Sequence, residues 1–153
     1  MADVISESGM DFIISNTFYI EKSLLYTNLG EGVRSVEFVR VIRDNLLFIE
    51  AKTTFPNPDN PGQENYIQFQ NETVEICEKF IHSLNLFSTV MIGTSKETFP
   101  DDFTLPEKVI LIFVLVIKNK LYSSLSSYLK KIWEPTVYVI NQDTAAKRNL
   151  IIN

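Results

Sequence analysis

The sequence is poor in the residues that hold small secreted proteins and zinc sites together. Cys77 is its only cysteine and His82 is its only histidine. One cysteine cannot form an intramolecular disulfide, and a zinc site built from paired cysteine and histidine residues is excluded. The chain also begins without the cationic start and apolar stretch of a secretory signal. We therefore expect a reducing compartment and a cytoplasmic location.

Long apolar segments are missing as well. The longest uninterrupted apolar run, Val109 to Ile117, has nine residues, whereas a membrane-spanning helix needs about 20. The chain has no glycine-rich phosphate loop and no nucleophile elbow. A membrane partner and nucleotide hydrolysis by a phosphate loop are therefore not expected.

Positive charge is scarce until late in the chain. The net charge is −5, with 7 basic against 16 acidic residues through Pro106 and 7 against 3 from Glu107 onward. Because affinity for nucleic acid comes largely from lysine and arginine beside phosphates, an anionic partner should lie toward the C-terminal elements. The lysines that would meet such a partner are Lys118, Lys120, Lys130 and Lys131.

A large apolar and aromatic fraction is what the sequence does contain. Hydrophobic residues make up 45% of the 153 residues, and eleven residues are phenylalanine. This composition is typical of a packed globular protein, and the length fits one domain. We expect residues 1–153 to form a single domain.

The hydrophobic periodicity predicts the element order β-β-β-α-β-α-β. The predicted strands cover 17–26 (ending in a short helical turn), 35–42, 46–52, 109–117 and 137–140, and the predicted helices cover 65–86 and 121–132. On the first helix the spacing of Phe69, Phe80 and Ile81 predicts a buried face, and Lys79 is predicted to face water. Residues 1–15 are expected to form a short helix or a frayed end, and residues 142–153 no regular element. The prediction is an α/β or α+β fold, with a central mixed sheet of about five strands flanked by two main helices.

The second and third predicted strands form a hairpin that carries three charged residues. If Asp44-Asn45 is a two-residue turn, Glu37 lies opposite Lys52 and Val39 lies opposite Glu50. Since paired residues share a face of a sheet, Glu37, Glu50 and Lys52 then point the same way. At a surface such a group can be a simple ion pair that contributes about 0.2–1 kcal/mol.

The same three residues also fit a catalytic interpretation. Two carboxylates are hard oxygen ligands that suit Mg²⁺, and a neighbouring lysine can orient or activate a water that attacks a phosphate. Acidic residues in the middle of a strand are costly to bury unless they are paired or bound to a metal. This interpretation predicts a metal-dependent phosphodiesterase site on the hairpin.

The segment Glu50-Ala51-Lys52, at the end of an apolar strand and preceded by an acidic residue on the previous strand, resembles the PD-(D/E)xK nuclease superfamily. The resemblance covers approximately residues 17–117 and leaves 118–153 as a C-terminal α-β extension. It implies the restriction-endonuclease-like core, in which a three-stranded meander is followed by a helix and a further strand. The acidic residue lies on the second strand of that meander and the E-x-K segment on the third.

The resemblance also implies roles for individual residues. Glu37 takes the first metal-ligand position, Glu50 the second, and the Ala51 carbonyl is a further ligand, while Lys52 takes the position of the catalytic lysine. Glu21 is a candidate for the additional acidic residue that many members carry. The implied cofactor is Mg²⁺ or Mn²⁺. The implied partners are nucleic acid, DNA before RNA, and a second copy of the chain in a homodimer.

Two alternatives remain open from the sequence. The chain can be a catalytically inactive member of the same fold that acts as a binding or assembly protein, with the three residues forming a structural charge cluster. The acidic character of the first two thirds of the chain favours that alternative. Alternatively, the hairpin register is shifted and the match is accidental, leaving a small α/β domain whose role is protein association.

Overall fold

A computed structural model describes residues 3–29, 32–57, 62–119, 125, 129 and 136–152. The strands are β1 (Val4–Glu7), β2 (Met10–Ile13), β3 (Thr17–Phe18), β4 (Phe38–Ile42), β5 (Asn45–Lys52), β6 (Ile110–Ile117) and β7 (Thr136–Asn141). The helices are a 3₁₀ turn (Ile20–Lys22), α1 (Leu24–Thr27), α2 (Gln63–Ile92) and α3 (Gln142–Lys147). Of the predicted helix over 121–132, only Leu125 and Leu129 belong to the described residues, and both are helical and buried.

The main sheet has five strands in the order β3-β4-β5-β6-β7. The first three strands form an antiparallel meander, and β5, β6 and β7 run parallel to one another. Helix α2 connects β5 to β6, as a parallel connection requires. The predicted mixed sheet of five strands with flanking helices is confirmed. The five strands of this sheet also follow one another along the chain as predicted.

The turn between β4 and β5 lies one residue earlier than the sequence predicted. Ile42 pairs with Asn45, so Arg43 and Asp44 form the turn, and Arg43 adopts a left-handed φ of 56°. The predicted pairing of Val39 with Glu50 is wrong, because Val39 pairs with Phe48. Moving a two-residue turn by one residue shifts the pairing by two residues. Since side chains alternate with a period of two, each residue keeps its predicted face.

The N-terminal residues form a β-hairpin, and not the helix or frayed end expected from the sequence. Strands β1 and β2 pair antiparallel, and Glu7 and Met10 close the ladder around Ser8 and Gly9. Both turn residues have positive φ values, 51° and 73°, as the commonest two-residue hairpin turn requires. The Ser-Gly dipeptide was the signal that the sequence analysis missed.

Each face of the main sheet is covered by different elements. Phe48 and Phe113 point toward α2, where Phe80 stacks on Phe113 with the ring centroids 4.6 Å apart. Ile49 and Val114 point the other way, into a second core shared with β2 and α3. The sheet is therefore a middle layer, and the residues of β5 alternate between two packed cores.

The C-terminal segment closes the second core. The side chain of Asn141 accepts a hydrogen bond from the backbone of Thr144 at 2.9 Å and caps α3, an element that the sequence analysis did not predict. Buried Arg40 donates from Nη1 to the backbone carbonyl of Asn149 at 2.8 Å. These contacts attach the segment to the meander. No helix among the described residues has both the length and the apolar character needed to cross a membrane.

Candidate active site

Glu50 is the most deeply buried charged residue of the hairpin. It lies on β5 between Phe48 and Lys52, on the face that packs against α2, and is 1% exposed. Its Oε1 accepts a hydrogen bond at 2.5 Å from Nζ of Lys79. Its Oε2 is buried and has no hydrogen-bond partner among the described residues. A buried carboxylate oxygen without a partner is unusual, because its desolvation is not offset by any contact.

Lys79 lies on α2 and reaches the sheet, whereas the sequence predicts that it faces water. Its side chain is only 17% exposed. It follows Ile76 by three residues and precedes Ser83 by four, and both of these residues are fully buried. Helical spacing therefore places Lys79 on the buried side of α2. Burial alone would lower the pKa of Lys79, but the adjacent Glu50 outweighs that effect and the pKa is raised.

Three further glutamates form what we call the acidic cluster: Glu7, Glu21 and Glu37. One carboxylate oxygen of each lies within 4.8 Å of the others, and all three side chains are half-buried. Glu7 ends β1, Glu21 lies in the 3₁₀ turn, and Glu37 immediately precedes β4. The Glu37 carboxyl group is hydrogen-bonded to that of Glu21, and the Tyr19 hydroxyl donates to Glu7 at 2.5 Å.

The cluster and Glu50 form one electrostatic unit. Burial, the hydrogen bond to Glu21 and the neighbouring carboxylates raise the pKa of Glu37 to about 9. Burial also raises the pKa of Glu50 to about 7, even though Lys79 and Lys52 act in the opposite direction. Carboxylates that cannot all ionise together must share protons or bind a cation. Near neutral pH the site therefore holds protons that a metal ion could replace.

Lys52 lies on the same face as Glu50 but forms its ion pair with the helix. Its Nζ is 3.6 Å from Oε1 of Glu75 on α2. The same carboxylate oxygen is 3.3 Å from Arg34, which also pairs with Glu78 at 3.2 Å. Glu75 therefore holds the Lys52 ammonium near Glu50 without a direct contact between Lys52 and Glu50. The charge of Lys52 lowers the pKa of Glu50.

The backbone around the site is tied to the N-terminal hairpin. The carbonyl of Ala51 accepts a hydrogen bond from Oγ of Ser8 at 3.2 Å. The backbone N–H of Lys118 donates to the carbonyl of Lys52 at 3.0 Å, so that Lys118 follows β6 at the same edge of the sheet. The Lys118 ammonium lies beside Gly9. The other three lysines considered for an anionic partner, at 120, 130 and 131, lie outside the described residues.

The structure brings four of the sequence-predicted residues together. Glu37, Glu50 and Glu21 interact electrostatically, and Lys52 acts on Glu50 from the same strand. Glu37 does not lie opposite Lys52, because it precedes β4 and its backbone N–H donates to the carbonyl of Ile49 at 3.1 Å. Ala51 contributes only its backbone here, since its side chain points into the core on the other face.

The residues present fit a divalent cation. The site offers carboxylate oxygens, the ligand type that Mg²⁺ and Mn²⁺ prefer. The unpartnered Oε2 of Glu50 and the raised pKa of Glu37 are both features that a bound cation would relieve. The carboxylate oxygens that lie within 4.8 Å of one another belong to Glu7, Glu21 and Glu37. The resemblance adds Glu50 as a ligand, and Glu50 interacts electrostatically with Glu37.

Two contributors, Glu7 and Lys79, were missed by the sequence analysis. A signal for Lys79 existed in its spacing from Ile76 and from Ser83, which are buried on α2. For Glu7 the signal was weaker, because a lone glutamate at the end of a four-residue strand is usually solvated. Its position at the site follows from where the hairpin packs.

Comparison with known proteins adds no assignment. No family model, no curated protein and no solved structure matches the chain. The resemblance to the PD-(D/E)xK superfamily therefore depends on the residues of the site and their placement in the fold.

Proposed function

We propose that this chain is a divalent-metal-dependent nuclease of the PD-(D/E)xK type that hydrolyses phosphodiester bonds in nucleic acid, DNA before RNA, in the cytoplasm. The observation that carries the proposal is the buried carboxylate of Glu50, which interacts with the acidic cluster and whose Oε2 meets no hydrogen-bond partner in the part of the chain that the structure describes. A purely structural carboxylate would be expected to have both oxygens satisfied.

The topology supports the same function. In this fold the E-x-K segment ends the third strand of a meander, and β5 ends with Glu50, Ala51 and Lys52. The meander is followed by α2 and then by β6, which pairs parallel to β5. The carboxyl ends of adjacent parallel strands are where open sheets commonly bind ligands.

Each charged residue has a distinct role in the proposed reaction. Hydrolysis joins a water oxygen to phosphorus, breaks the bond to the ester oxygen, and leaves the two water protons shared between the new phosphate and the released hydroxyl. A bound Mg²⁺ or Mn²⁺ would supply charge stabilisation at the phosphate and an acidified water. The Lys52 ammonium can donate hydrogen bonds to the attacking water or to a phosphate oxygen. Glu37 would act as a ligand of that ion, which would replace the proton that burial and the neighbouring carboxyl groups favour on it.

Substrate binding would require positive charge at the same edge of the sheet. Lys118 meets that requirement, because it follows β6 next to Lys52. Its ammonium reaches the turn of the N-terminal hairpin at Gly9. We expect Lys118 to contact a phosphate of the substrate and to contribute affinity rather than chemistry.

A second candidate function is an inactive member of the same fold that binds or assembles. The ion pair between Lys79 and Glu50 favours it, because an ammonium already lies where a bound metal ion would contact Glu50. Glu75 likewise engages Lys52. In that case the charges form a structural network, and neither metal binding nor cleavage is expected.

Cleavage assays on matched variants test the proposal. Supercoiled plasmid and single-stranded DNA are incubated with Mg²⁺ or Mn²⁺ and the wild type, Glu50→Gln or Lys52→Met. Glu64→Gln is the control, since Glu64 is an exposed glutamate in the first turn of α2. We expect cleavage by the wild type and the control, and its loss in both site variants. If the wild type neither binds metal nor cleaves either substrate, the chain is not a nuclease.

A further inference from the structure

The contact between Lys79 and Glu50 has a consequence for metal uptake. Nζ of Lys79 donates a hydrogen bond to Oε1 of Glu50 at 2.5 Å. Oε2 of the same carboxylate is buried and has no hydrogen-bond partner among the described residues. Lys79 also interacts electrostatically with Glu37 and Glu75. Its ammonium therefore lies among the carboxylates that would hold a cation and is itself the positive charge of that site.

We propose that Lys79 is a resident counter-ion that a divalent cation must displace from Glu50, so that Lys79 sets how tightly the site takes up its metal. The inference depends on the proposed function, because it assumes that Glu50 is a metal ligand. Two positive charges on one buried carboxylate repel each other strongly, since little water screens them. Metal binding and the contact between Lys79 and Glu50 are therefore antagonistic.

The surroundings of Lys79 provide a place for the displaced ammonium. Glu75 lies one helical turn earlier on α2, at the spacing that allows a side-chain ion pair. Lys79 is 17% exposed and has a flexible four-carbon stem, so its ammonium can turn away from the sheet without a change in the backbone. Lys52 does not play this part, because its ammonium contacts Glu75 and not Glu50.

The exchange explains how the chain can fold before it binds metal. Without Lys79, no ammonium or guanidinium group of the described residues would form an ion pair with Glu50 or with the acidic cluster. With Lys79 in place, one carboxylate is neutralised in the folded protein until a stronger cation arrives. The lysine thus stabilises the empty site and weakens the loaded one.

Isothermal titration with Mn²⁺ alone tests the inference. The proteins compared are the wild type, Lys79→Met, Lys52→Met and Glu50→Gln. We expect Lys79→Met to bind Mn²⁺ at least about fivefold more tightly than the wild type, the lower end of the usual coupling between sites. Lys52→Met removes the same charge from the same region and should tighten binding by a clearly smaller factor. Glu50→Gln should lose most of the binding.

A second measurement on the wild type covers the case in which Lys79→Met does not fold. The ¹³C signal of the Lys79 side chain, assigned with Lys79→Arg, is followed during a Mg²⁺ titration. We expect it to shift in proportion to saturation, because the ammonium leaves Glu50. A signal that stays unchanged at saturation overturns the inference.

The outcomes distinguish failure of the inference from failure of the proposed function. If wild type and Lys79→Met bind Mn²⁺ equally while Glu50→Gln loses binding, the metal site stands and the counter-ion role of Lys79 is wrong. Equal tightening by Lys52→Met and Lys79→Met would also overturn the inference, because it would reduce the effect to net charge. If no variant and no wild-type protein binds Mn²⁺, the proposed function fails and the inference fails with it.

Discussion

The ammonium of Lys79 on α2 lies 2.5 Å from one carboxylate oxygen of Glu50 on β5, and this contact joins the long helix to the centre of the sheet. Both groups are removed from water, at 17% and 1% side-chain exposure. A buried pair of this kind contributes little net stability compared with apolar residues, but removing one partner leaves the other uncompensated. The pair is therefore a sensitive point of the fold.

Lys79→Met should destabilise the metal-free protein. We expect a loss of about 3 kcal/mol in the free energy of unfolding, because Glu50 is left buried without its counter-ion. Urea denaturation measures the loss. The double variant Lys79→Met with Glu50→Leu should recover most of the stability, since both charges of the pair are removed. A single-variant loss below about 1 kcal/mol would be in the range of exposed ion pairs and would contradict the burial of the contact.

The stability of the metal-free protein should fall as pH rises. The pKa of Glu37 is raised from 4.5 to about 9 by burial and by neighbouring carboxyl groups, so the folded state binds more protons than the unfolded state between those values. Stability decreases with pH wherever the folded state binds more protons. Glu50 adds to the same trend between pH 4.5 and about 7. Thermal melts between pH 5 and 9 in EDTA measure the slope, which Glu37→Gln should flatten.

Removal of the metal ion should lower Tm at high pH and leave it nearly unchanged at low pH. At pH 8 a cation replaces protons that the carboxylates have begun to lose, so adding Mg²⁺ should raise Tm relative to EDTA. At pH 5 the carboxyl groups still hold their protons, and we expect little change. Glu50→Gln should remove the Mg²⁺ effect at pH 8, whereas Glu64→Gln should keep it. An equal Mg²⁺ effect at both pH values would point to ion binding elsewhere.

Glu75 should act as a positioning residue for Lys52. Glu75→Gln removes the carboxylate that holds the Lys52 ammonium at 3.6 Å, and we expect cleavage to slow by about tenfold or more, as for groups that orient catalytic residues. Glu78→Gln is the matched control, because Glu78 is on the same helix and, among the described residues, its ion pair is with Arg34. Mn²⁺ affinity should change little in Glu78→Gln and fall in Glu75→Gln, because Glu75 also receives the displaced Lys79 ammonium. If both variants slow cleavage equally, Arg34 and not Lys52 is the affected partner.

Substitution of Gly9 should affect substrate binding if Lys118 contacts the substrate. Gly9 and Gly93 both have left-handed φ values, 73° and 81°, so alanine at either position should cost about 1 kcal/mol. At Gly9 the new Cβ would also come within 2.7 Å of the Lys118 ammonium, whereas at Gly93 no atom lies within 4 Å. We expect only Gly9→Ala to weaken binding of single-stranded DNA in fluorescence anisotropy. Because the Lys118 side chain is flexible and can turn away from the new Cβ, Lys118→Met is measured beside both variants, and equal binding by Lys118→Met and the wild type would show that Lys118 makes no contribution.

Much of the fold could be predicted because its elements carry strong local patterns. The apolar run that forms β6 and the helical spacing of Phe69 and Phe80 on α2 were sufficient to place those elements. The N-terminal hairpin was missed because its strands have only four residues each and its turn signal, Ser8-Gly9, is short. Short elements depend on packing against the rest of the molecule, which local patterns do not describe.

Helix α2 shows where periodicity reaches its limit. The helical spacing predicts that Ile81 is buried and that Lys79 faces water, but Ile81 is 42% exposed and Lys79 lies against Glu50. A polar residue between apolar ones is ordinarily assigned to solvent, since burying its charge is costly. That cost is offset here by a carboxylate on another element, which no local pattern of α2 contains.

The alternation of side chains along a strand is enough to predict that Glu50 and Lys52 share a face of β5, because the misplaced turn shifted the pairing by two residues. Glu37 lies outside the paired residues of β4, and its place beside Glu21 follows from packing. Tertiary packing also determines which charges these residues meet. Lys79 reaches Glu50 and Glu7 joins the acidic cluster because α2 and the N-terminal hairpin pack against the same end of the meander. Periodicity describes which side of an element is buried, whereas the partner of a buried charge depends on elements far away in the sequence.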